Sequence, residues 1–361
     1  MKRFTLRALF AATAIAATGA AHAQSTVTLY GIVDTGIEYY NNPASHGAFV
    51  GMPTLTGELP SRWGLRATEK LGGGYNAFFV LESGFAVSNG ALNYGGRLFG
   101  RQANLGISSP YGSLTLGRQM NMTMFALSNA DVIGPSIHSM ASFDGYLPNS
   151  RSDNAIGYMG VFHGFKLGAT YSFGRDAAGP AGPSATNCPG QVAGNGLACR
   201  QYTLLAGYDS PQFGFALSYD AMRGGIGAMA PLTSPSDIDT HFVADGYVNY
   251  GKGKLGAGWI RRNLDTSQHM QSDIFFVGGN YALSPALSVD AQGLRYIQKS
   301  QSSSTLLIAR LDYLLSKRTT VYSSVAFMLN SPLANAPVAA GGTVAMGKNQ
   351  VGVMAGVQQR F

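Results

Sequence analysis

The sequence predicts an all-β fold, a transmembrane antiparallel β-barrel of about 16 strands in which one long loop, residues 119–150, folds into the lumen. Three observations predict it. Apolar and polar residues alternate over strand-length segments, and short and long connections alternate along the chain. The composition is also unusual. The 361 residues include 48 glycines, and 12% are charged, whereas soluble domains have about 25% charged residues and about 7% glycine.

The mean hydropathy of +0.05 is close to zero. A helical membrane protein has apolar segments of about 20 residues, and none follows the N-terminus here. In a transmembrane barrel the polar half of each strand faces the lumen, so the mean hydropathy stays low. A large soluble β-sandwich or propeller is the alternative fold.

Residues 1–23 have the organisation of a secretory signal peptide. A basic start is followed by the apolar segment Ala8–Ala17 and the A-x-A cleavage site Ala21-His22-Ala23. We expect the mature protein to be one barrel domain, residues 24–361. Removing the three cations of the signal lowers the formal net charge from +7 to +4. This mild excess biases a pore toward anions, and the absence of a Lys/Arg cluster argues against nucleic-acid binding.

Alternation runs from the first mature segment to the last. Apolar residues occupy one face of each segment and polar residues the other, so one face meets water and the other an apolar medium. Examples of the apolar faces are Val27, Leu29, Val33 and Ile37; Leu307, Ala309, Leu311 and Tyr313; Val321, Val325, Phe327 and Leu329; and Val351, Val353, Ala355 and Val357. The polar faces include Asp34, Arg310 and Asp312. The chain ends at Phe361, an aromatic suited to the membrane rim.

Connections of two lengths join these segments. Seven short ones have the Gly and Pro chemistry of tight turns, at 71–73, 109–111, 163–164, 210–212, 251–253, 284–285 and 316–317. Eight longer ones fall at about 41–59, 88–93, 120–150, 174–200, 224–240, 265–271, 299–304 and 330–347. Short turns at one rim and longer loops at the other are typical of outer-membrane barrels. Closure satisfies every backbone group in the bilayer, and about sixteen strands enclose a water-filled lumen.

The loop from Met120 to Asn149 has no steady period and is rich in Met, Phe, Ile and Tyr. A long ordered loop usually has a function, and an apolar one needs a surface to pack on. We expect it to fold into the lumen, where Asp131 and Asp144 would face arginines on the wall.

Several segments resemble the trimeric general porins of Gram-negative bacteria, specifically the β-proteobacterial type. They are STVTLYGIVDTGIEYY (25–40), SRWGLRATEKLGGGYNAFFVLESGF (61–85), GRLFGRQANLGISSPYGSLTLGRQ (96–119) and the closing strand with Phe361. The resemblance implies a sixteen-stranded barrel in the outer membrane, three copies per trimer and a constriction set by the third loop. Its partners would be outer-membrane lipid and lipopolysaccharide, small hydrophilic solutes and inorganic ions.

The resemblance also implies an arginine cluster on the constriction wall, opposite acidic residues. The matching basic positions are Arg62, Arg66, Arg97, Arg101, Arg118 and Arg151, with Glu82, Asp131 and Asp144 as the acids. Each arginine has an alternative role as a wall residue that pairs with a carboxylate and leaves flux unaffected. Two features depart from the family pattern, since Gly157 stands where members often have a lumenal Lys, and the loop is Met-rich and less acidic.

The predicted function is passive diffusion of ions and small hydrophilic solutes, with weak anion preference because Arg stays charged. A channel specific for one anion or sugar is the main alternative. Trp63 and Trp259 are isolated, so no aromatic slide is evident. An outer-membrane enzyme would need a nucleophile–base set, and no histidine lies in a G-x-S-x-G or H-E-x-x-H motif. A structural or adhesive barrel would need a plug domain.

Cys188 and Cys199 lie in one Gly-, Pro- and Ala-rich segment. In an exported chain a disulfide between them is expected. Too few ligands lie nearby for a metal site, and no cofactor is predicted.

Overall fold

A computed structural model describes residues 26–176 and 186–361. The predicted signal peptide lies outside the described residues. The strands, in chain order, are β1 (Thr28–Asn41), β2 (Ala48–Gly51), β3 (Arg62–Gly72), β4 (Tyr75–Gly84), β5 (Gln102–Ser109), β6 (Gly112–Met120), β7 (Arg151–Phe162), β8 (Phe165–Ser172), β9 (Gln201–Asp209), β10 (Phe213–Arg223), β11 (Ile238–Tyr250), β12 (Gly253–Asp265), β13 (Met270–Ala282), β14 (Leu287–Gln298), β15 (Ser302–Leu314), β16 (Thr319–Asn330) and β17 (Gln350–Arg360). None of the helices in these two ranges is long and apolar enough to cross a bilayer.

The strands form one closed antiparallel barrel. Consecutive strands pair around the sheet, and β1 closes it by pairing with β17 from Ile32↔Arg360 to Tyr40↔Gly352. The short strand β2 belongs to the first loop and pairs only with the end of β1, so sixteen strands make the wall. The predicted strand number is confirmed, and β2 is an addition to it.

The two faces of each strand differ as the alternation predicts. On β1, Leu29 is 58% exposed and Ile37 is 64% exposed, whereas Asp34 and Glu38 on the other face are buried. Residues paired across neighbouring strands share a face, so this pattern continues around the barrel. The apolar face is directed outward and the polar face into the lumen.

Exposed aromatic side chains ring the outer surface near the short turns. They are Tyr75, Tyr111, Phe162, Phe165, Phe213, Tyr250, Tyr281, Tyr313 and Phe361. Such a girdle marks a membrane–water interface. Phe361 is tied to the first strand by reciprocal backbone hydrogen bonds with Gly31, each 3.1 Å long.

All seven predicted turns join strands at one rim, and the longer loops lie at the other. The second loop is longer than predicted. It spans residues 85–101 rather than 88–93, because the backbone reverses where Tyr94, Gly95 and Gly96 have positive φ. Strand β5 therefore begins at Gln102, and the segment RLFGR, which follows the predicted loop at 88–93, belongs to the loop as well.

Loop 3, residues 121–150, enters the lumen. It contains a helix, Met122–Ala130, and two 3₁₀ turns, Met140–Ser142 and Leu147–Asn149. The helix packs against β9, β10, β11 and β12. The sequence pattern did not predict a helix here, because nine residues with apolar side chains on most sides have no clear period.

Glycines on the lumenal face let loop 3 approach the wall closely. A Cβ at Gly256 would lie 2.0 Å from the carbonyl oxygen of Ala130, and a Cβ at Gly168 would lie 2.3 Å from Met122 Sδ. Gly278 and Gly352 likewise leave space for other side chains of loop 3. The loop therefore packs along a row of lumenal glycines, Gly168, Gly256, Gly278 and Gly352, which we call the glycine track.

An apolar core fills the space between loop 3 and this wall. Its members are buried residues of the loop and of the lumenal strand faces, including Met122, Leu127, Ile133, Met140 and Leu147 with Leu205, Val243, Ile260, Leu294, Leu306 and Met328. Burying each such side chain contributes about 1.5–3 kcal/mol. The loop therefore covers the lumenal wall from β9 toward β16 and leaves the opposite side of the lumen uncovered.

Buried Asp220 on β10 fastens both ends of loop 3. Its carboxylate accepts hydrogen bonds from the Tyr146 hydroxyl, from Thr123 Oγ1 at 3.1 Å and from Asn121 Nδ2 at 3.4 Å. Gln201 Nε2 on β9 donates to the same carboxylate at 2.8 Å. Because the acceptor is charged and buried, these bonds are stronger than neutral ones.

Gly256→Ala tests the seating of loop 3. The added methyl group overlaps Ala130, and we expect the loop to move into the pore, with a loss of stability of about 1–3 kcal/mol from overpacking. Single-channel conductance in planar bilayers should decrease. The matched control is Gly293→Ala, where the nearest atom to the new Cβ is Leu307 Cδ2 at 3.4 Å on the outer face. Equal conductance in both variants would show that Gly256 does not position the loop.

Candidate pore constriction

The open side of the lumen is bordered by β3 to β7 and lies opposite β9 to β16, the strands on which loop 3 packs. Arg62 and Arg66 lie on β3 in register with Ile32 and Thr28 of β1, so both point into the lumen. The Arg62 side chain is 21% exposed, and Arg66 is exposed. The Arg66 guanidinium lies 5.0 Å from the centre of the Tyr30 ring. These two arginines present their charge directly to the water of the pore.

Glu82 lies inside the arginine cluster. Its Oε1 accepts a hydrogen bond from Arg101 Nε at 2.7 Å, and its Oε2 accepts one from the Tyr30 hydroxyl at 3.0 Å. Arg62 Nε lies 3.6 Å from Oε2. The expected position of Glu82 opposite the arginines is therefore wrong, because its strand β4 lies between β3 and β5 in the same wall.

The side chain of Tyr94, in the second loop, packs between Arg101 and Arg151. Arg101 Nη1 donates to its hydroxyl at 2.7 Å, and the guanidinium groups of Arg101 and Arg151 lie 5.8 and 5.4 Å from its ring centre. Burial alone would raise the pKa of Tyr94. The positive charges of the surrounding arginines have the larger effect, so the net shift of this pKa is downward. A Cβ at Gly84 or Gly100 would lie 2.6 Å from Tyr94, so both glycines make room for it.

Arg151 is not on the pore surface. Arg151 is only 2% exposed, and its Nε donates a hydrogen bond to the carbonyl oxygen of Arg101 at 2.9 Å. Its Nη1 and Nη2 have no hydrogen-bond partner among the residues that the structure describes. The guanidinium of Arg151 is therefore enclosed by the wall rather than exposed to the lumen.

Arg97 and Arg118 form a second cluster with two acids. Arg118 pairs with Asp153 on β7 and its Nε donates to the carbonyl oxygen of Gly100 at 2.7 Å. Arg97 pairs with Asp176 and lies 3.5 Å from Asp153. A β-bulge next to Arg118, where Gly117 has φ of +109°, breaks the alternation and brings Arg118 to this cluster.

The fourth loop holds Asp176 in place. Cys188 and Cys199 are joined by a disulfide, and Asp176 and Cys188 exchange two backbone hydrogen bonds of 3.3 and 2.8 Å. Burial raises the pKa of the Asp176 carboxyl, but the charge of Arg175 and hydrogen bonds, including one from Arg97, outweigh it and lower the pKa. Asp176 is therefore ionised and compensates part of the basic wall.

Gly157, where a lumenal Lys was expected by resemblance, faces Gln119. A Cβ at this position would lie 2.2 Å from Gln119 Oε1. The Gln119 amide donates to the carbonyl oxygens of Thr115, Gly117 and Ala155 at 3.1–3.3 Å. The neutral Gln119 thus fills the space beside Gly157.

The two acids of loop 3 do not contact the six arginines. Asp144 Oδ2 lies 2.9 Å from His241 Nε2 and accepts a hydrogen bond from Arg262 Nη1 at 3.2 Å. Burial raises the pKa of Asp144, but the charge of Arg262 outweighs it and the net shift is downward. Asp131 accepts from Gln292 Nε2 at 2.9 Å, and burial raises the pKa of its carboxyl. Both acids bind the loop to the far wall.

Sequence reasoning missed the partners that complete these clusters. They are Tyr94, Asp153, Arg175, Asp176, Asp220, His241 and Arg262. The sequence could have indicated Asp153, because this acid lies where the alternation of apolar and polar residues resumes after loop 3. Tyr94 precedes two glycines, which indicates a tight turn. The other contacts join residues distant in sequence.

The two tryptophans and the possible metal ligands were also located in the structure. Trp63 and Trp259 are directed outward by their position in β3 and β12, so neither lines the lumen. Among residues 26–176 and 186–361, no group of three or more His, Cys, Asp or Glu side chains could hold a metal ion.

Known proteins resemble this chain over nearly its whole length. A family model described as Gram-negative porin matches residues 8–333. Outer membrane porin protein 32 of Delftia acidovorans is 31% identical, over 98% of this chain and 99% of that protein. An outer membrane porin of Bordetella pertussis is 35% identical over 57% of this chain and 56% of that protein.

Two solved structures share the architecture. The anion-selective porin from Comamonas acidovorans has a TM-score of 0.77 and 25% identity, and the match covers 94% of this chain and all of that one. The trimer form of OmpT from Vibrio cholerae has a TM-score of 0.63 and 15% identity, with coverage of 93% and 99%. The extent of these matches, together with the sixteen-stranded barrel and its inward loop, establishes that the chain is an outer-membrane protein of the Gram-negative porin family.

Proposed function

We propose that this general porin is a passive, weakly anion-selective channel whose selectivity comes from the wall formed by β3 to β7. The observation that carries the proposal is the exposure of Arg62 and Arg66 to the pore, with four more arginines behind them. The six arginines share this wall and its loops with three acids, Glu82, Asp153 and Asp176. Among these groups the positive charges therefore outnumber the negative ones.

The charge arrangement explains how the selectivity arises. A narrow passage with fixed cations on one side attracts anions and raises their local concentration. Arginine suits this role because its guanidinium stays protonated at any working pH. A preference of about 1–2 kcal/mol corresponds to a permeability ratio of roughly ten. Dissolved salt screens exposed charges, so the preference should decrease as ionic strength rises.

The arginines have different roles in this proposal. Arg62 and Arg66 contact ions in the pore. Arg101, Arg118 and Arg151 are largely buried, and Arg97, with a side chain 19% exposed, is held by Asp153 and Asp176. These four arginines add to the potential of the low-dielectric wall. The anion selectivity of the similar Comamonas acidovorans porin supports the proposed anion preference.

The functional unit that we propose is a homotrimer, since a similar porin has a trimer form. Residues 1–23 are removed on export, and residues 24–361 form the barrel. The partners are inorganic ions and small hydrophilic solutes in the pore, and outer-membrane lipid and lipopolysaccharide outside it. The role is passive transport without a cofactor rather than catalysis.

The double variant Arg62→Gln/Arg66→Gln tests the proposal. We expect the anion-to-cation permeability ratio to fall toward one, by about 1 kcal/mol or roughly five-fold, because the two accessible cations are lost. Reversal potentials in a salt gradient across a planar bilayer measure the ratio. The difference from wild type should shrink at high salt.

Two controls sharpen this experiment. Arg318→Gln removes an exposed cation from the short turn between β15 and β16, away from the constriction, and should leave the ratio unchanged. An unchanged ratio in the double variant, with normal conductance, would contradict the proposal. A channel specific for one anion or sugar would instead show saturating flux of that solute and competition by it.

Asp176→Asn tests the same wall in the opposite direction. Neutralising this acid leaves the charge of Arg97 less compensated, so the anion preference should rise by about two- to five-fold at low salt. Reversal potentials again give the ratio. The matched control is Asp265→Asn, an exposed acid that pairs with His269 at the outer rim. A fall in anion preference in Asp176→Asn would show that Asp176 acts only by holding Arg97 in position.

A further inference from the structure

A recess of about 70 Å³ lies beside the arginine wall, where four loops meet. Its lining residues belong to the first loop, between β1 and β3, to the second loop, to loop 3, and to the last loop, between β16 and β17. The larger apolar members are Leu55, Pro60, Tyr94, Pro135 and Pro148. We call this cavity the loop recess. Because its lining comes from the long loops, it lies on the loop side of the lumen.

The size and lining of the loop recess fit one small ring. One water molecule needs roughly 10–15 Å³ of such a cavity, so the recess has space for roughly five water-sized groups, which is about the bulk of one six-membered ring. Its three prolines and the ring of Tyr94 offer flat apolar surfaces, and a flat aromatic ring packs well on such surfaces. Sites for small molecules are usually concave and mostly apolar, with a few polar groups that orient the ligand.

Hydrogen bonds between the loops fix the shape of the recess. Thr56 Oγ1 of the first loop donates to the carbonyl oxygen of Pro135 in loop 3 at 2.9 Å. The backbone N–H of Ile137 donates to the carbonyl oxygen of Gly57 at 2.9 Å, and the backbone N–H of Ala340 in the last loop donates to that of Ile137 at 2.8 Å. Because these walls are already in place, a ligand loses little free energy in ordering them.

Two walls of the recess contact arginines directly. Arg62 Nη1 donates to the carbonyl oxygen of Pro60 at 3.1 Å. Arg101 Nη1 donates to the Tyr94 hydroxyl at 2.7 Å, and the Arg151 guanidinium lies 5.4 Å from the centre of the Tyr94 ring. The recess therefore combines an apolar interior with three neighbouring cations.

The positive charge beside the recess is only partly compensated. Glu82 is the one acid in the described residues that pairs with these arginines, with Arg101 Nε at 2.7 Å and Arg62 Nε at 3.6 Å. Three guanidinium groups and one carboxylate leave a net positive charge. The Arg62 side chain, 21% exposed, presents part of this charge to solutes. An anionic group next to the recess is therefore favoured.

We propose that the loop recess holds the ring of a monocyclic aromatic carboxylate, with the carboxylate group directed to Arg62. The apolar walls account for the ring, and the guanidinium group, which forms strong hydrogen bonds with carboxylates, accounts for the charge. The inference names a solute class for the proposed anion channel and rests on that function. Such a solute is retained longer than chloride because it buries its ring, and while bound it partly obstructs the passage.

The test is block of the chloride current through single channels in planar bilayers. Benzoate is added in increasing concentration at constant ionic strength, and we expect the conductance to fall saturably because the recess has space for one ring. Acetate has the charge without the ring, and benzamide has the ring without the charge. Each should need about ten-fold more solute than benzoate for the same decrease.

Two variants test the location of the block. Ala340→Leu fills the recess from the last loop, and the half-blocking concentration of benzoate should rise about ten-fold. Leu55→Ala removes part of the apolar wall at an exposed position, and the rise should be about three-fold. The matched control, Ala345→Leu, adds the same bulk to the last loop at a residue that does not line the recess, and should keep the wild-type block.

Equal block by acetate or by benzamide would overturn the proposal, since charge alone or a ring alone would then be sufficient. A wild-type half-blocking concentration in both Ala340→Leu and Leu55→Ala would also overturn it, because benzoate would then bind elsewhere. Reversal potentials of the wild type in potassium chloride separate this inference from the proposed function. An anion preference without block by benzoate would overturn the recess alone, whereas saturable block without an anion preference would contradict the proposed function alone.

Discussion

The structure depends on the closing pair between β1 and β17. In a bilayer every backbone N–H and C=O must have a partner within the protein, and a sheet meets this requirement only when it has no edge. Hydrogen bonds between Gly31 and Phe361 extend the seam to the last residue. Because the sheet is closed, each strand has one lipid-facing and one lumenal surface, and the chemistry of the protein is divided between these two surfaces.

Loop 3 then determines which part of the lumen stays open. Its apolar core and the glycine track under it cover the lumenal faces from β9 toward β16, while Asp220 and the Asp144–His241–Arg262 group fix its two ends. The side of β3 to β7 is left uncovered. The six arginines lie there, so the packing of a Met-rich loop on one wall leaves the opposite, basic wall facing the open part of the lumen.

The sequence determines the barrel more completely than the constriction. Alternation and turn chemistry are local, so the strands and the short turns could be predicted from them, whereas Arg62 was placed on the wall by the family resemblance. Arg97 and Arg101 could not be placed, because they lie in a loop shaped by Tyr94 and its neighbouring glycines. The burial of Arg151 and the pairing of Asp144 with Arg262 depend on contacts between distant parts of the chain. Local pattern gives the face of a residue but not its partner.

Arginines face both surfaces of the barrel wall, and the position of each one along its strand, odd or even, decides which surface it faces. Arg261 and Arg262 are consecutive on β12, so one is directed to the lipid and pairs with Asp273, while the other is directed to the lumen and pairs with Asp239 and Asp144. A shift of one residue in register would exchange them and place an apolar surface in water. The pairing of each with an acid on its own side stabilises the correct register. The same alternation that builds the wall thus decides which of two consecutive arginines faces the lipid and which faces the lumen.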